Sequence, residues 1–338
     1  MSRIVLALSH SIEEYDQLRL LTGIGHEVFS IGGYIKPAAP HDPKRPALDV
    51  PYYPDLHAAV DAIGGDDNLG AARARLPDAI LDWADILIYH HRLERLYGQW
   101  DRIVRWRAAN SARRVIWRTV GQSVANNERQ AAPYRAEGLE IVRYSPRERN
   151  IPGYVGEDAL IRFYKDPAEY GGWRGEIPQV ITIVQHLRQR EPYTNWSYWD
   201  AATRGLAAVP IGPGSEVIGG RGETTYQSMK AALQENRVYL YTGTQPASYT
   251  LGLIEAMMTG IPVVSIGPKW HSIFPYGPDL YEGHELAYSS HDDPADARRD
   301  LETYLDHPNR TVSLLQRQRA IDLFGIETIS RQWAAYLS

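Results

Sequence analysis

Residues 237–267 read RVYLYTGTQPASYTLGLIEAMMTGIPVVSIG and decide the fold class of this 338-residue chain. The run Arg237–Thr242 is rich in β-branched and aromatic residues, which predicts a strand. A loop of small and turn-forming residues follows, and Leu251–Met258 is a strong helix-forming run that stops before a second strand, Pro262–Ile266. A strand, loop, helix and strand in this order predict a unit with a parallel sheet.

The start of the predicted helix is a potential anion site. The first amides of a helix have no partner within it, and the helix dipole favours negative charge at this end. Ser248 or Thr250 stands where a capping residue is expected. Glu255 lies about one turn further on, where its carboxylate would repel a phosphate and suits the hydroxyl groups of a sugar diol. The segment therefore predicts a site for a ligand with both phosphate and sugar groups.

The rest of the chain alternates strands and helices in two halves. Residues 165–178 are dense in Gly and Pro and predict a linker between the halves. Two such halves predict Rossmann-like domains with a ligand cleft between them, at the carboxyl ends of their strands. The predicted strands outside the opening segment are Arg3–Ser9, His26–Ile31, Asp85–His90, Arg114–Val120, Leu139–Tyr144, Ala159–Tyr164, Gln179–Val184 and Val209–Gly212.

The composition excludes several classes of protein. A hydrophobic content of 43% with 23% charged residues is typical of a globular chain. The absence of cysteine excludes disulfides, thiolate metal sites and cysteine nucleophiles, and the cytoplasm is the expected location. No apolar run approaches the roughly 20 residues that span a bilayer, so no transmembrane segment is expected.

Motifs of other enzyme classes do not occur. The first strand is followed by Ser9-His10-Ser11 instead of a glycine-rich dinucleotide fingerprint. The sequence also has no Walker loop, no serine nucleophile elbow and no His-Glu-x-x-His metal helix. These absences argue against a nicotinamide oxidoreductase, a P-loop enzyme, a serine hydrolase and a zinc protease.

The runs Glu255-Ala256-Met257 and Gly260-Ile261-Pro262-Val263-Val264 resemble the donor-binding signature of the retaining family 4 glycosyltransferases. The resemblance implies an α/β protein of the GT-B type, in which two Rossmann-like domains face each other across a cleft. It also implies transfer of a sugar from a nucleoside diphosphate, such as a UDP- or GDP-sugar, without a metal or other cofactor. Hence the donor is a substrate, and no cofactor is expected.

The resemblance also assigns residues to the donor. By it, Glu255 binds the nucleotide ribose, and the loop at Ser248, Tyr249, Thr250 and Leu251 binds the diphosphate through its amides. Ala247 stands where the family has a first Glu that contacts the transferred sugar. The sequence therefore identifies the class of donor and leaves the sugar, the base and the stereochemical outcome open.

A second donor element follows the first strand of the C-terminal half. Val184-Gln185-His186-Leu187 stands where the family has Val-Gly-Arg-Leu, so His186 replaces the diphosphate-binding Arg. Arg188 and Arg190 are available to supply the missing positive charge, and the alternative is that both are ordinary solvated side chains. Gly212 and Gly214 match the glycine-rich turn after the next strand.

The N-terminal half offers three candidates for catalysis. His90 ends a strand, Ala84–His90, that resembles a strand end of the family, and Arg118 is the polar residue nearest to a family His that is absent here. His10 follows the first strand. Each of the three is expected to line the cleft, and a purely structural role is the alternative for each.

The resemblance sets the expected domain boundaries. We expect an acceptor-side Rossmann-like domain over residues 1–168 and a donor-binding Rossmann-like domain over 169–325. A closing helix is expected over 326–338, by resemblance to the C-terminal tail of the family.

The charge distribution leaves the acceptor open. The net charge is −5, yet residues 92–149 contain 13 arginines against six acidic residues. This segment is either a set of solvated faces or a basic surface for a polyanion. The second interpretation suggests a DNA-modifying, phage-type glycosyltransferase that acts on a hydroxylated or hydroxymethylated base. A third hypothesis, based on the departures from the family motifs, is a non-catalytic protein that binds nucleotide sugars or carbohydrate.

Overall fold

The structure is a computed structural model that describes residues 1–7, 11–31, 51–63, 72–91, 93–120, 123–267, 280 and 289–338. It divides into two compact units. Unit 1 comprises Met1–Tyr144, Pro152–Ile161 and Ser330–Ser338, and unit 2 comprises Ser145–Ile151 and Arg162–Ile329. The backbone therefore passes between the units four times.

Unit 1 contains a parallel sheet of six strands in the order β2-β1-β3-β4-β5-β6. Its central strands are continuous apolar runs with every residue from Ile86 to His90 buried, as expected when helices cover both faces of a parallel sheet. The strands are β1 (Arg3–Ala7), β2 (Glu27–Ser30), β3 (Ile86–His90), β4 (Arg114–Arg118), β5 (Glu140–Arg143) and β6 (Ala159–Leu160).

The helices of unit 1 lie between these strands. They are α1 (Ser11–Gly23), α2 (Pro54–Asp61), α3 (Asp78–Trp83), α4 (Glu94–Tyr97), α5 (Trp100–Ala108) and α6 (Ala125–Ala136). The expected strand Ala159–Tyr164 is shorter than predicted, because only Ala159 and Leu160 pair with β5 before the chain enters unit 2 at Arg162.

Unit 2 contains a parallel sheet of five strands in the order β11-β10-β9-β7-β8. The strands are β7 (Ile177–Ile183), β8 (Ala208–Ile211), β9 (Asn236–Tyr241), β10 (Val263–Ile266) and β11 (Ser290–His291). The helices are α7 (Trp196–Thr203), α8 (Tyr226–Glu235), α9 (Leu251–Thr259), α10 (Pro294–Asp306), α11 (Arg310–Phe324) and α12 (Ile326–Leu337), whose last residues belong to unit 1.

Helix α9 lies at the centre of unit 2. Every residue from Leu253 to Thr259 is buried, and the helix ends at Gly260, whose φ of 90° is a left-handed conformation that favours glycine. The Gly- and Pro-rich segment before β7 also packs into this unit, since Tyr170 and Trp173 are buried. In the described part of the chain, no helix has the length and apolar character needed to cross a bilayer.

Candidate functional site

The start of α9 has the geometry of an anion site. Thr250 is the N-cap residue in an extended conformation, and its own side chain makes no capping hydrogen bond to the helix. Thr250 and Leu251 are half-buried. Since Leu251 begins a helix of nine residues, its first turn combines amide groups with the favourable end of the dipole.

The loop before α9 is anchored by its two middle residues. Ser248 and Tyr249 are buried. The Tyr249 ring packs edge-on against Phe163 and Phe324, with centroids 5.8 and 5.2 Å away. Of the four loop residues expected at the diphosphate, Tyr249 thus packs its side chain into the unit, which fixes the backbone that leads into α9.

Glu255 is buried one turn into α9 and has two partners from the segment that precedes β7. Its Oε1 lies 3.2 Å from the Lys165 Nζ and accepts a hydrogen bond of 3.2 Å from the Tyr170 hydroxyl. A buried carboxylate is stable only when it is paired in this way. Both partners contact the same oxygen atom of the carboxylate.

The loop after β7 carries three exposed basic side chains. His186, Arg188 and Arg190 are exposed, whereas Leu187 between them is fully buried and anchors the loop. The Arg188 guanidinium lies 5.8 Å from the centroid of the Trp196 ring. The loop therefore presents polar groups at the carboxyl end of the central strand β7, where parallel sheets bind their ligands.

The turn after β8 packs directly on this loop. The His186 amide donates to the Pro213 carbonyl at 2.7 Å. A Cβ added to Gly214 would lie 2.4 Å from the His186 Nδ1, and one added to Gly212 would lie 2.5 Å from the Val184 carbonyl oxygen. Only glycine leaves enough space at these two positions, so the two loops pack closely against each other.

We expect Gly212→Ala to lower the free energy of unfolding by about 1–3 kcal/mol. The added methyl group would meet the Val184 backbone, and Gly212 has a φ of 134°. Gly205→Ala is the matched control, because Gly205 has a φ of 80° with no atom within 4 Å of an added Cβ. Urea unfolding of both variants measures the difference, and equal losses would contradict the steric argument.

Glu191 and Asn195 position the next helix. Glu191 accepts hydrogen bonds from the Trp196 amide and the Ser197 hydroxyl at the start of α7. The Asn195 side chain donates to the Thr242 carbonyl at 2.7 Å and so ties this segment to the end of β9. The loops after β7 and β9 are thus joined at the carboxyl ends of these two neighbouring strands.

His90 and Arg118 lie side by side at the carboxyl end of the sheet in unit 1. They are register partners on β3 and β4, and both are buried. Burial, with a further contribution from Arg118, lowers the pKa of His90 to about 3, so the imidazole is neutral at physiological pH. Arg118 donates to the Ile161 carbonyl and lies 5.7 Å from the Trp333 ring centroid. His10, the third candidate, lies outside the described residues.

No family model matches the chain, and no curated protein matches its sequence. Solved structures do match it. A structure of Anabaena HepE in complex with UDP and glucose has a TM-score of 0.64 and 12% identity over 100% of this chain and 99% of that chain. A glycosyltransferase from Rickettsia africae has a TM-score of 0.67 and 9% identity over 99% and 97% of the two chains. An E. coli trehalose-6-phosphate structure bound with UDP-2-fluoro glucose has a TM-score of 0.56 and 10% identity over 99% of each chain.

The fold is GT-B. The matches extend over the full length of the chain and include both parallel-sheet units, which confirms the predicted fold class. At 9–12% identity these matches establish the fold alone. The chemistry has to be inferred from the residues of this chain.

Many arginines of the segment 92–149 in this GT-B chain make contacts that stabilise unit 1. At least seven of its arginines contact a carboxylate or a main-chain carbonyl within unit 1, namely Arg102, Arg107, Arg113, Arg114, Arg118, Arg135 and Arg143. Arg114, for example, binds Glu140 at 2.6 Å and lies 4.5 Å from the centroid of the Tyr336 ring. These contacts favour the structural interpretation of the positive charge.

The sequence did not identify Lys165 and Tyr170 as partners of Glu255. Both fall in the segment predicted to be a linker, 85 or more positions away from the carboxylate in the sequence. One signal was available, since Lys165 is one of only five lysines in a chain with 31 arginines and follows Phe163 and Tyr164 directly. A lysine after an apolar run suggests a buried cation, but nothing in the sequence names its partner.

Proposed function

We propose that this GT-B chain is a glycosyltransferase that moves a sugar from a nucleoside diphosphate to an acceptor. The observation that carries the proposal is the start of α9, where the amides after Thr250 lie one turn from the buried carboxylate of Glu255. Amides suit a diphosphate, and a fixed carboxylate suits the ribose hydroxyls. The full-length similarity to a HepE structure with UDP and glucose supports this assignment.

The charge of the leaving diphosphate would be stabilised by the loop after β7. His186, Arg188 and Arg190 are exposed there, and Arg can bind phosphate oxygens with two parallel hydrogen bonds. Gly212, Gly214 and the loop 248–251 would let the backbone approach the same group. With positive charge from side chains and a helix dipole, we propose that transfer needs no metal ion, so that activity persists in EDTA.

Retention of the anomeric configuration is proposed from the resemblance of Glu255 through Val264 to the family 4 signature. A neutral buried imidazole with a pKa of about 3 is a weak base near pH 7. We therefore assign His90 to hydrogen bonding with substrate rather than to proton abstraction, with Arg118 beside it on β4. This division of roles fits a mechanism that relies on positioning and on stabilisation of the leaving group.

A thermal-shift screen tests the donor. We expect UDP, GDP or ADP, or one of their sugars, to raise the melting temperature, because a ligand at about 100 times its Kd adds roughly 2.7 kcal/mol of stability. The reversed-charge variant Arg188→Glu should weaken the shift, and Arg204→Glu, on the exposed end of α7 in the same unit, serves as the control. A screen in which no nucleotide stabilises the protein would overturn the proposal.

Turnover distinguishes an enzyme from a non-catalytic binding protein. Release of nucleoside diphosphate from the stabilising sugar nucleotide, with water or an added acceptor, would establish catalysis. Donor binding without any release across a panel of acceptors would favour the binding-protein hypothesis instead.

A DNA acceptor stays a separate hypothesis about the same enzyme. The arginine contacts within unit 1 weigh against it, because those guanidinium groups are engaged by the fold. Activity on hydroxymethylated DNA that falls steeply with added salt would support it, since phosphate contacts release counterions. Activity on a neutral small acceptor that does not change with salt would exclude it.

A further inference from the structure

Two side chains from one short segment hold the carboxylate that the proposed function places at the ribose. Lys165 and Glu255 form an ion pair of 3.2 Å with side-chain exposures of 2% and 5%. Tyr170 donates to the same Oε1 at 3.2 Å and is itself buried. The Lys165 amide donates to the Phe324 carbonyl at 2.9 Å, so the backbone that carries the ammonium is also fixed.

The two contacts are complementary in what they do. The ammonium supplies charge, which a carboxylate needs in order to stay ionised where water is excluded. The Tyr170 phenol fixes the orientation of the Glu255 side chain, because its hydroxyl and the Lys165 ammonium together restrain the plane of the carboxylate. Both contacts are made to Oε1.

The Glu255 carboxylate depends more strongly on the positive charge of Lys165 once a donor is bound. A diphosphate at the start of α9 brings negative charge to within about one helical turn of Glu255, and repulsion between like charges is strong in a poorly solvated site. An unpaired carboxylate would respond by taking up a proton, and a protonated carboxyl group is a poorer acceptor for two ribose hydroxyls.

Tyr170 also contacts Tyr226, whose own described partners are residues other than Glu255. The Tyr170 hydroxyl lies 3.3 Å from the Tyr226 hydroxyl, which donates to Glu169 at 3.0 Å. The Lys230 Nζ lies 4.7 Å from the centroid of the Tyr226 ring. Tyr226 and Lys230 are thus a tyrosine and a lysine that neighbour Tyr170 and for which no contact with Glu255 is described, and they provide controls of the same residue type.

We propose that Lys165 and Tyr170 are positioning residues for the donor, which keep Glu255 ionised and aimed at the ribose diol. The proposal rests on the proposed function. Neither residue needs to touch the nucleotide. Their contribution to affinity should therefore depend on the presence of the ribose hydroxyls.

Isothermal titration of UDP and of 2′,3′-dideoxy-UDP tests this dependence. The wild-type protein should bind UDP more tightly than the dideoxy analogue. Lys165→Met should weaken UDP binding roughly 10- to 100-fold, because Glu255 without its counter-ion takes up a proton and binds the ribose hydroxyls less well, and should remove most of the preference for UDP. Lys165→Arg should restore part of that preference, while Lys230→Met should leave both affinities unchanged.

Tyr170→Phe keeps the proposal testable if Lys165→Met fails to fold. It removes one hydroxyl group, should fold normally, and should reduce UDP affinity roughly 3- to 10-fold with little effect on the dideoxy analogue. Tyr226→Phe is its control and should bind both nucleotides like the wild type. Circular dichroism establishes that each variant is folded before titration.

The outcomes separate the two proposals. If the wild-type protein binds neither nucleotide, the UDP donor site itself is overturned. If it prefers UDP and Tyr170→Phe keeps the full preference, the positioning role is overturned while the donor site stands. If Tyr226→Phe lowers the preference as much as Tyr170→Phe does, the effect comes from general loosening of the segment, and the positioning role is likewise overturned.

Discussion

Arg143→Met should destabilise unit 1 by about 3–5 kcal/mol, the usual cost of breaking a buried ion pair from one side. Arg143 and Glu128 are completely buried and joined by two parallel hydrogen bonds of 2.7 and 2.8 Å. The guanidinium also donates to the Gly156 carbonyl at 3.0 Å and lies 5.1 and 4.6 Å from the ring centroids of Trp117 and Tyr154. Loss of the cation would leave the Glu128 carboxylate buried without its counter-ion.

Hydrogen exchange across β4 and β5 gives the stability of unit 1 directly. Asp78→Asn is the control, because the Asp78 carboxylate is 90% exposed in its pair with Arg102 and such pairs contribute about 1 kcal/mol or less. The double variant Arg143→Met with Glu128→Met should recover much of the loss. An Arg143→Met protein with unchanged protection of β4 and β5 would contradict the assignment.

His90 should make unit 1 sensitive to acid. Its pKa falls from 6.5 in the unfolded chain to about 3 in the fold, mainly through burial and secondarily through Arg118 on the neighbouring strand. Above pH 6.5 both states are neutral, and the residue adds no pH dependence. Between pH 6.5 and 3 only the unfolded state binds the proton, so stability falls with pH by about 1.4 kcal/mol per unit.

Replacing His90 with Phe should therefore reduce the loss of folding stability at acidic pH. Between pH 7 and 4.5 the variant should lose about 2–3 kcal/mol less than the wild type, whatever its stability at neutral pH. His26→Asn is the control, because His26 is only partly buried and its pKa is lowered by that partial burial and by the nearby N-terminal ammonium. Urea unfolding at both pH values measures the change, and parallel losses in the wild type and His90→Phe would refute the prediction.

The fold could be predicted from the sequence because its signals are local. The helix Leu251–Thr259 and the strands on either side have unambiguous composition, and turn residues such as Gly260 mark where they end. The point at which the chain passes from unit 1 to unit 2 has no such local signal. Ala159–Tyr164 has uniform β composition, yet the chain leaves the sheet of unit 1 after Leu160, because the following residues pack in the other unit.

The site could be predicted only in part. Motif spacing predicted the helix that begins at Leu251, which the structure contains. The assignment of its first turn and of Glu255 to the donor stays a prediction. The ion pair of Glu255 with Lys165 joins residues 90 positions apart, and single-sequence patterns carry no signal for such a contact. The same holds for the arginine-rich segment, where Arg114 pairs with Glu140, 26 positions away, and Arg135 pairs with Asp158, 23 positions away.

The path of the backbone has a consequence for how the protein is made. Residues Ser330–Ser338 belong to unit 1, where Trp333 is buried and the Tyr336 hydroxyl donates to Glu140 at 2.6 Å. The ribosome synthesises these residues only after all of unit 2. The half that is translated first therefore cannot complete its core until all of unit 2 has been synthesised, whereas unit 2 lies within a nearly continuous stretch and can fold as it emerges. The order of completion in the cell is expected to be the reverse of the order of synthesis.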